Sequence, residues 1–214
     1  MTDSLNYTKS KNVVGVILAG GQSRRFGRGD KFLKKLNGKL LIEHVIDRVS
    51  PQTSNVIINS NSNADLFKGQ NHPIIPDSIG GYAGPLAGIL TGMEWVLRVK
   101  PQCKWIVTFP SDAPFIPLDS AERMIKCAEE ERANIVCSAS NGRTHPVCAL
   151  WQVGLADDLR KAMINEEIRK IDLWTARYRS SVVEFSDQPF DPFFNINRPG
   201  DLERAEEILK SNEI

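Results

Sequence analysis

Apolar runs of strand length alternate along the chain with segments whose apolar residues recur at helical spacing. Val13-Val14-Gly15-Val16-Ile17, Val56-Ile57-Ile58, Trp105-Ile106-Val107-Thr108-Phe109, Ile135-Val136-Cys137 and Val147-Cys148-Ala149-Leu150-Trp151 read as buried strands. Between them, Ile42, Val45, Ile46 and Val49 fall at i, i+3, i+4 and i+7, one face of a helix. Leu86, Ile89, Leu90, Met93 and Leu97 repeat that spacing. Asp119 or Ser120 can cap a third helix carrying Met124, Ile125 and Ala128. Leu202, Ala205, Ile208 and Leu209 form a last amphipathic helix behind Pro199, a residue suited to a first helical turn. The alternation predicts an α/β fold, a three-layer, doubly wound, mostly parallel and Rossmann-like sheet with right-handed crossovers. One domain over 13–214 is expected, behind a flexible polar extension over 1–12.

In such a sheet, ligands lie beyond the carboxyl ends of the strands. Polar and glycine-bearing residues gather at those ends here. The first strand runs into Gly20-Gly21, the second into Asn59-Ser60-Asn61, and the strand ending at Phe109 into Pro110-Ser111-Asp112. Pro76-Asp77-Ser78 follows the short apolar pair Ile74-Ile75. One ligand-binding edge accounts for all four.

The segment Leu18-Ala19-Gly20-Gly21-Gln22-Ser23-Arg24-Arg25-Phe26-Gly27-Arg28-Gly29-Asp30-Lys31 combines glycines with fixed positive charge. Backbone N–H groups of such a loop can form an anion-binding nest, to which Arg24, Arg25 and Lys31 add charge. The spacing is neither that of the P-loop nor that of the dinucleotide G-x-G-x-x-G fingerprint. Asp112 can hold a hard cation such as Mg2+, which takes its remaining ligands from water and phosphates; as a turn cap, the same Asp-x-Pro is also good chemistry. Gly84-Pro85-Leu86-Ala87-Gly88 reads equally as a helix start and as a turn against which a planar base can lie. Asn59, Asn61 and Asp77 offer donors and acceptors for a ribose or base edge, though each alone is commonly a turn residue. Asn195 and Asn197 lie at i, i+2 on a strand-like stretch, Phe193–Asn197, facing one side as a polar pocket wall.

Composition narrows the partners. The 214 residues carry 41% hydrophobic and 25% charged side chains and a net charge of +1. That balance suits a soluble globular protein and argues against nucleic acid as the main partner. The four cysteines, Cys103, Cys127, Cys137 and Cys148, never approach C-x-x-C spacing and read as free thiols. Three histidines, His44, His72 and His145, show no paired spacing for a metal. With neither a membrane-length apolar run nor a signal-peptide core, no membrane partner and a cytoplasmic location are expected.

A triphosphate loop beside a metal-holding aspartate fits nucleotidyl transfer, in which an oxygen nucleophile attacks the α-phosphorus and releases pyrophosphate. Together these residues resemble the molybdenum cofactor guanylyltransferases, within the glycosyltransferase-A-like nucleotidyltransferase group. The resemblance rests on Leu18–Lys31, Asn59-Ser60-Asn61, Asp77-Ser78, Gly84–Gly88, Asp112-x-Pro114, Arg143-x-His145-Pro146 and Asn195-Ile196-Asn197-x-Pro199. It departs from the family pattern at Ser111, where Cys is frequent, and at Phe26, where Met is commoner. The resemblance implies transfer of GMP from GTP to the terminal phosphate of Mo-molybdopterin. Leu18, Ala19, Gly20 and Gly21 would then start the GTP loop, and Arg25 and Lys31 would meet the phosphates as catalytic groups. Asn59, Asp77, Gly84 and Gly88 would surround the nucleoside, and Asp112 would ligate Mg2+. Arg143, His145, Asn195 and Asn197 would lie toward the pterin. Molybdenum-insertion proteins or recipient molybdoenzymes are the implied transient partners. The alternatives are a cytidylyltransferase on molybdopterin, a sugar- or alcohol-phosphate nucleotidyltransferase of the same fold, and a non-catalytic nucleotide- or cofactor-binding domain.

Overall fold

The computed structural model describes residues 10–20, 31–81 and 84–212. Gly21, Arg24 and Arg25 of the expected phosphate loop, and the expected extension as far as residue 9, lie outside the described residues.

The described chain runs β1 (Ser10–Leu18), β2 (Lys35–Leu36), β3 (Lys39–Leu40), α1 (Leu41–Val49), β4 (Thr53–Asn59), β5 (Ile74–Ile75), α2 (Pro85–Val99), β6 (Trp105–Pro110), α3 (Ser120–Glu131), β7 (Ile135–Ser140), β8 (Arg143–Gln152), α4 (Ala156–Asn165), α5 (Ile171–Thr175), β9 (Ser180–Phe185) and α6 (Pro199–Asn212). A seven-stranded sheet has the order β5-β4-β1-β6-β8-β7-β9. β5, β4, β1 and β6 are parallel, β8 opposes both β6 and β7, and β9 is parallel to β7. The fold is therefore the expected α/β Rossmann-like one, with a single reversed strand.

That reversal comes from a hairpin whose signal is local. Asn141 and Gly142 adopt φ of 50° and 68°, the two left-handed residues of a type I′ turn, and connect β7 directly to β8. The expected strand Val147–Trp151 is the second half of β8. Between Cys137 and Ser138 the pairing slips, so that Cys137 faces Ala149 and Ser138 faces His145. Pro146, without an N–H, falls in that irregularity, where a missing ladder donor is tolerated.

Alternation along β1 divides its side chains between two cores. Val13 and Ile17 pack with Ile42, Val45 and Val49 of α1 and Met124 and Ala128 of α3. Val14 and Val16 pack with Leu86, Ile89 and Met93 of α2, Leu159 and Met163 of α4 and Trp174 of α5. A third, smaller cluster joins Leu36, Leu41, Phe115 and Ile196 to Ala205 of α6. Gln52 ties α1 to α3: its amide nitrogen donates to Arg48 O at 2.7 Å and Pro117 O at 2.9 Å, and its oxygen accepts from Ala121 N at 2.9 Å.

Several expectations change. β1 begins at Ser10 rather than Val13. Leu97 is 46% exposed, because the last turn of α2 buries Val96 and Trp95 instead and leaves Leu97 at the margin of the packed face. Phe193–Asn197 is irregular backbone and not a strand, since Asp191 and Asp112 take its N–H groups in turn and loop bonds. The helix α3 follows Asp119, yet neither candidate side chain caps it; Ser120 Oγ donates back to Pro117 O at 2.8 Å. No helix among the described residues is long and apolar enough to cross a membrane.

Helix α2 approaches the sheet closely because it presents glycine there. A Cβ on Gly92 would meet Val16 Cγ2 at 2.7 Å and Ile106 Cδ1 at 3.2 Å. Gly92→Ala is expected to cost about 1–3 kcal/mol and to lower the melting temperature by several degrees in calorimetry. An unchanged transition would show that the helix can move away from β1 without loss.

Candidate functional site

The four parallel strands finish together. Leu18 pairs with Asn59 on one side and Pro110 on the other, and Asn59 pairs with Ile75. Backbone bonds continue the ladder past the strand ends: Ala19 N donates to Asn59 O at 2.8 Å, Ser60 N to Ile75 O at 3.0 Å and Ser111 N to Leu18 O at 3.1 Å. The polar residues expected at one edge are therefore brought to one edge.

At its centre Lys31, Asp112 and Asn197 converge. Lys31 opens a short 3-10 turn, Lys31–Leu33, anchored by Phe32, which is buried and stacked on Phe67 with ring centroids 4.7 Å apart. The Lys31 ammonium donates to Asp112 Oδ2, and to Asn197 Oδ1 at 2.7 Å. The paired side chains are only 15% and 19% exposed, so their attraction is little screened by water. Ile196 N donates to Asp112 O at 3.0 Å, which fastens the segment before α6 against the end of β6. Asp112 Oδ1 and Asn195 Oδ1 are buried and have no hydrogen-bond partner among the described residues. Buried acceptors left this way are costly unless something meets them.

These two orphaned oxygens, a carboxylate and an amide, are hard donors of the kind Mg2+ takes. No cluster of three or more His, Cys, Asp or Glu side chains suited to a metal occurs among the described residues. The residues present fit a cation that uses few protein ligands and fills its sphere from water and phosphate.

On the β4–β5 side, Asn59 is buried and its amide nitrogen donates to Ile75 O at 3.1 Å and Asp77 Oδ1 at 2.9 Å. Asn61 Nδ2 donates to Asp77 Oδ2 at 2.7 Å, while Asp77 N donates to Asn61 Oδ1 at 2.9 Å. Thr91 of α2 accepts from Ser78 N at 2.9 Å. Asn59 thus spends its amide hydrogens inside the protein and sets the position of Asp77. Its oxygen lies where a Cβ on Gly88 would be, 2.3 Å from that position. Gly84 precedes Pro85 with φ of 75°, a conformation that glycine adopts without strain.

On the β8 side, Arg143 is exposed at the start of the strand and His145 is half-buried. His145 Nε2 lies 2.7 Å from Ser140 Oγ, which donates to Asp191 Oδ1 at 2.7 Å. Phe193 packs on the imidazole with ring centroids 4.8 Å apart. Burial holds the His145 pKa below its ordinary value, and Arg143 pushes the same way; Asp191 and Glu184 oppose them. Sequence reasoning missed Ser140 and Asp191. Asp191-Pro192 was a readable turn signal, since Asp191 Oδ1 also accepts from Phe193 N at 2.9 Å. All four cysteines are free; burial pushes the Cys137 thiol up to about 11 and the Cys148 thiol higher still.

The MobA-like NTP transferase domain family matches residues 15–179. The chain belongs to that family. It is 44% identical to the molybdenum cofactor guanylyltransferase of Rhodopseudomonas palustris strain BisB5 over 193 residues, 90% of this chain and 92% of that protein. Identity to the enzyme of the same name from Bradyrhizobium sp. strain ORS 278 is 41%, covering 92% of each chain. Among solved structures, molybdopterin-guanine dinucleotide biosynthesis protein A from Archaeoglobus fulgidus superposes with a TM-score of 0.70 at 29% identity, over 93% of this chain and 99% of that one. A CMP-2-keto-3-deoxy-manno-octonic acid synthetase complexed with CTP shares the fold, with a TM-score of 0.67 at 13% identity, over 96% of this chain and 100% of that one. The chain is a member of a nucleotidyltransferase family.

The lowered His145 pKa has a signed consequence for stability. The unfolded imidazole titrates near 6.5 and protonates first as pH falls, so the unfolded state gains protons that the native state refuses. Stability is expected to fall as pH drops below about 6.5, and to fall less in His145→Gln. Denaturant midpoints between neutral and mildly acidic pH read the difference; identical profiles would remove His145 from the balance.

Proposed function

We propose that the strand-end edge transfers GMP from GTP to the terminal phosphate of Mo-molybdopterin, forming the guanine dinucleotide and pyrophosphate. The convergence of Lys31, Asp112 and Asn197, with one Asp112 oxygen left buried and unpartnered, carries this reading. It is a compact site of opposite charges at the ends of parallel strands, suited to a polyphosphate with a cation. The guanine and the molybdopterin come from the names of relatives at 44% and 41% identity.

In this reading the Gly84–Gly88 turn and Asp77, braced by Asn59, bind the nucleoside, and Leu18, Ala19 and Gly20 border the phosphates. Gly21 and Arg25 would complete the phosphate loop. Lys31 leaves Asp112 in part to meet phosphate oxygen, which puts positive charge where charge builds up in the transition state. Asp112 would hold Mg2+ through its unpartnered oxygen. That ion, when bound, neutralises phosphate charge and orients the triphosphate. Arg143, His145, Asn195 and Asn197 face the acceptor. The attacking group is a phosphate monoester whose second pKa is about 6, so it is already ionised at neutral pH and needs no general base. Its oxygen bonds to the α-phosphorus as the bond to the β-phosphate bridge breaks, and pyrophosphate leaves with the electron pair.

Pyrophosphate release with Mg2+, molybdopterin and each of GTP, CTP, UTP and ATP tests the assignment. GTP is expected to be used best; a preference for CTP would make the chain a cytidylyltransferase, and no release with any would favour a binding domain. Asp112→Ala is expected to stay folded and lose at least about 100-fold in turnover. Near-normal turnover in that variant would remove Asp112 from the mechanism.

A further inference from the structure

Ser140 closes β7, His145 stands near the start of β8, and Asp191 comes from the segment between β9 and α6. The three form a chain in which the serine is the middle member and not the nucleophile of a triad. Ser140 is fully buried, with its Oγ 2.7 Å from His145 Nε2 and 2.7 Å from Asp191 Oδ1. A hydroxyl has one proton to give, and an ionised carboxylate can only accept. Ser140 therefore donates to Asp191, and its own lone pair must be met by a proton on His145 Nε2. The neutral imidazole then carries its lone pair on Nδ1, which makes no hydrogen bond to any described residue.

One further contact holds the ring. Phe193 lies against it at an interplanar angle of 33°, and Phe193 is itself fixed by its N–H on the same Asp191 oxygen. The charged groups around the imidazole are Asp191, Arg143 and Glu184. Their opposing signs leave burial as the main influence, which favours the neutral ring.

We propose that Ser140 and Asp191 are positioning residues that lock His145 as the Nε2–H tautomer, so that Nδ1 accepts a hydrogen bond from an N–H group of the acceptor heterocycle. The tautomer follows from the protein alone. The identity of the donor rests on the guanylyl-transfer reading, in which the pterin supplies ring and amino N–H groups.

Nitrogen-15 NMR of the histidine-labelled protein, without substrate, reads the tautomer, with His145→Gln assigning the signals among the three histidines. Wild type is expected to show a protonated Nε2 and an unprotonated Nδ1 at neutral pH. Asp191→Ala removes the acceptor for the Ser140 proton, which then turns to Nε2 and moves the imidazole proton to Nδ1. Asp191→Asn retains an acceptor oxygen and is expected to restore the wild-type tautomer. Ser140→Ala abolishes the preference, and serves if Asp191→Ala does not fold. In steady-state assays Asp191→Ala is expected to raise KM for the molybdopterin acceptor about tenfold, with KM for GTP unchanged and Asp191→Asn near wild type. An Nδ1–H tautomer in wild type overturns the proposal, as does an unchanged tautomer in both Asp191→Ala and Ser140→Ala. A tautomer shift with an unchanged acceptor KM overturns the role of Nδ1 and leaves guanylyl transfer standing. Absence of transfer from GTP in wild type defeats that reading and, with it, the pterin donor, while the tautomer is still read without turnover.

Discussion

Lys31 reaches two residues that are far from it and from each other in sequence, and the site is organised around that reach. Its ammonium donates to Asp112 at the end of β6 and to Asn197 just before α6. Because the pair is mostly shielded, each partner is expensive to leave alone, which holds the turn at Lys31–Leu33, the end of β6 and the segment entering α6 together. The bond from Ile196 N to Asp112 O and the apolar cluster of Leu36, Phe115, Ile196 and Ala205 back this junction from behind. One carboxylate oxygen satisfies the lysine, while the other stays buried without a described partner.

The sheet order divides the edge on either side of that junction. β5, β4 and β1 are parallel, and the close approach of α2 at Gly88 sets a braced group of Asn59, Asn61 and Asp77 at their ends. Beyond β6 the reversed β8 turns its beginning, with Arg143 and His145, toward the same edge. An α/β sheet with one reversed strand can thus face two different half-substrates across a single carboxylate. The proposed joining of a nucleotide to a phosphorylated heterocycle needs such a two-sided edge with its charge in the middle.

Much of this was legible in the sequence because it depends on local pattern. The continuous apolar runs at Val13–Ile17 and Trp105–Phe109 have few structures open to them other than buried strands, and the polar residues that follow must then lie at strand ends. The hairpin at Asn141-Gly142 was not among the expectations, because the apolar runs on either side read as separate strands. Other features depended on tertiary partners. β9 is Ser-rich and leaves Val182 52% exposed, so its apolar signal was weak. Phe193–Asn197 alternates like a strand, but its N–H groups go to Asp191 and to Asp112. Leu97 keeps the helical period of α2, but the buried face at that turn is taken by Val96 and Trp95. Ser140 and Asp191 had no pattern to announce them, because their relation to His145 exists only once β7, β8 and the segment before α6 are side by side.

The most direct measurement is the affinity for Mn2+, standing in for Mg2+, in the presence of GTP, read from the loss of the free-ion EPR signal. Wild type and Asp112→Asn are compared; the variant keeps the size of the side chain and an oxygen for Lys31 while removing the charge. Metal held at Asp112 requires tight binding in wild type and binding at least about tenfold weaker in Asp112→Asn, since a hard cation loses its one protein carboxylate. Equal affinity in the two proteins would contradict it and move the metal, and with it the reacting phosphate, away from the junction of Lys31, Asp112 and Asn197.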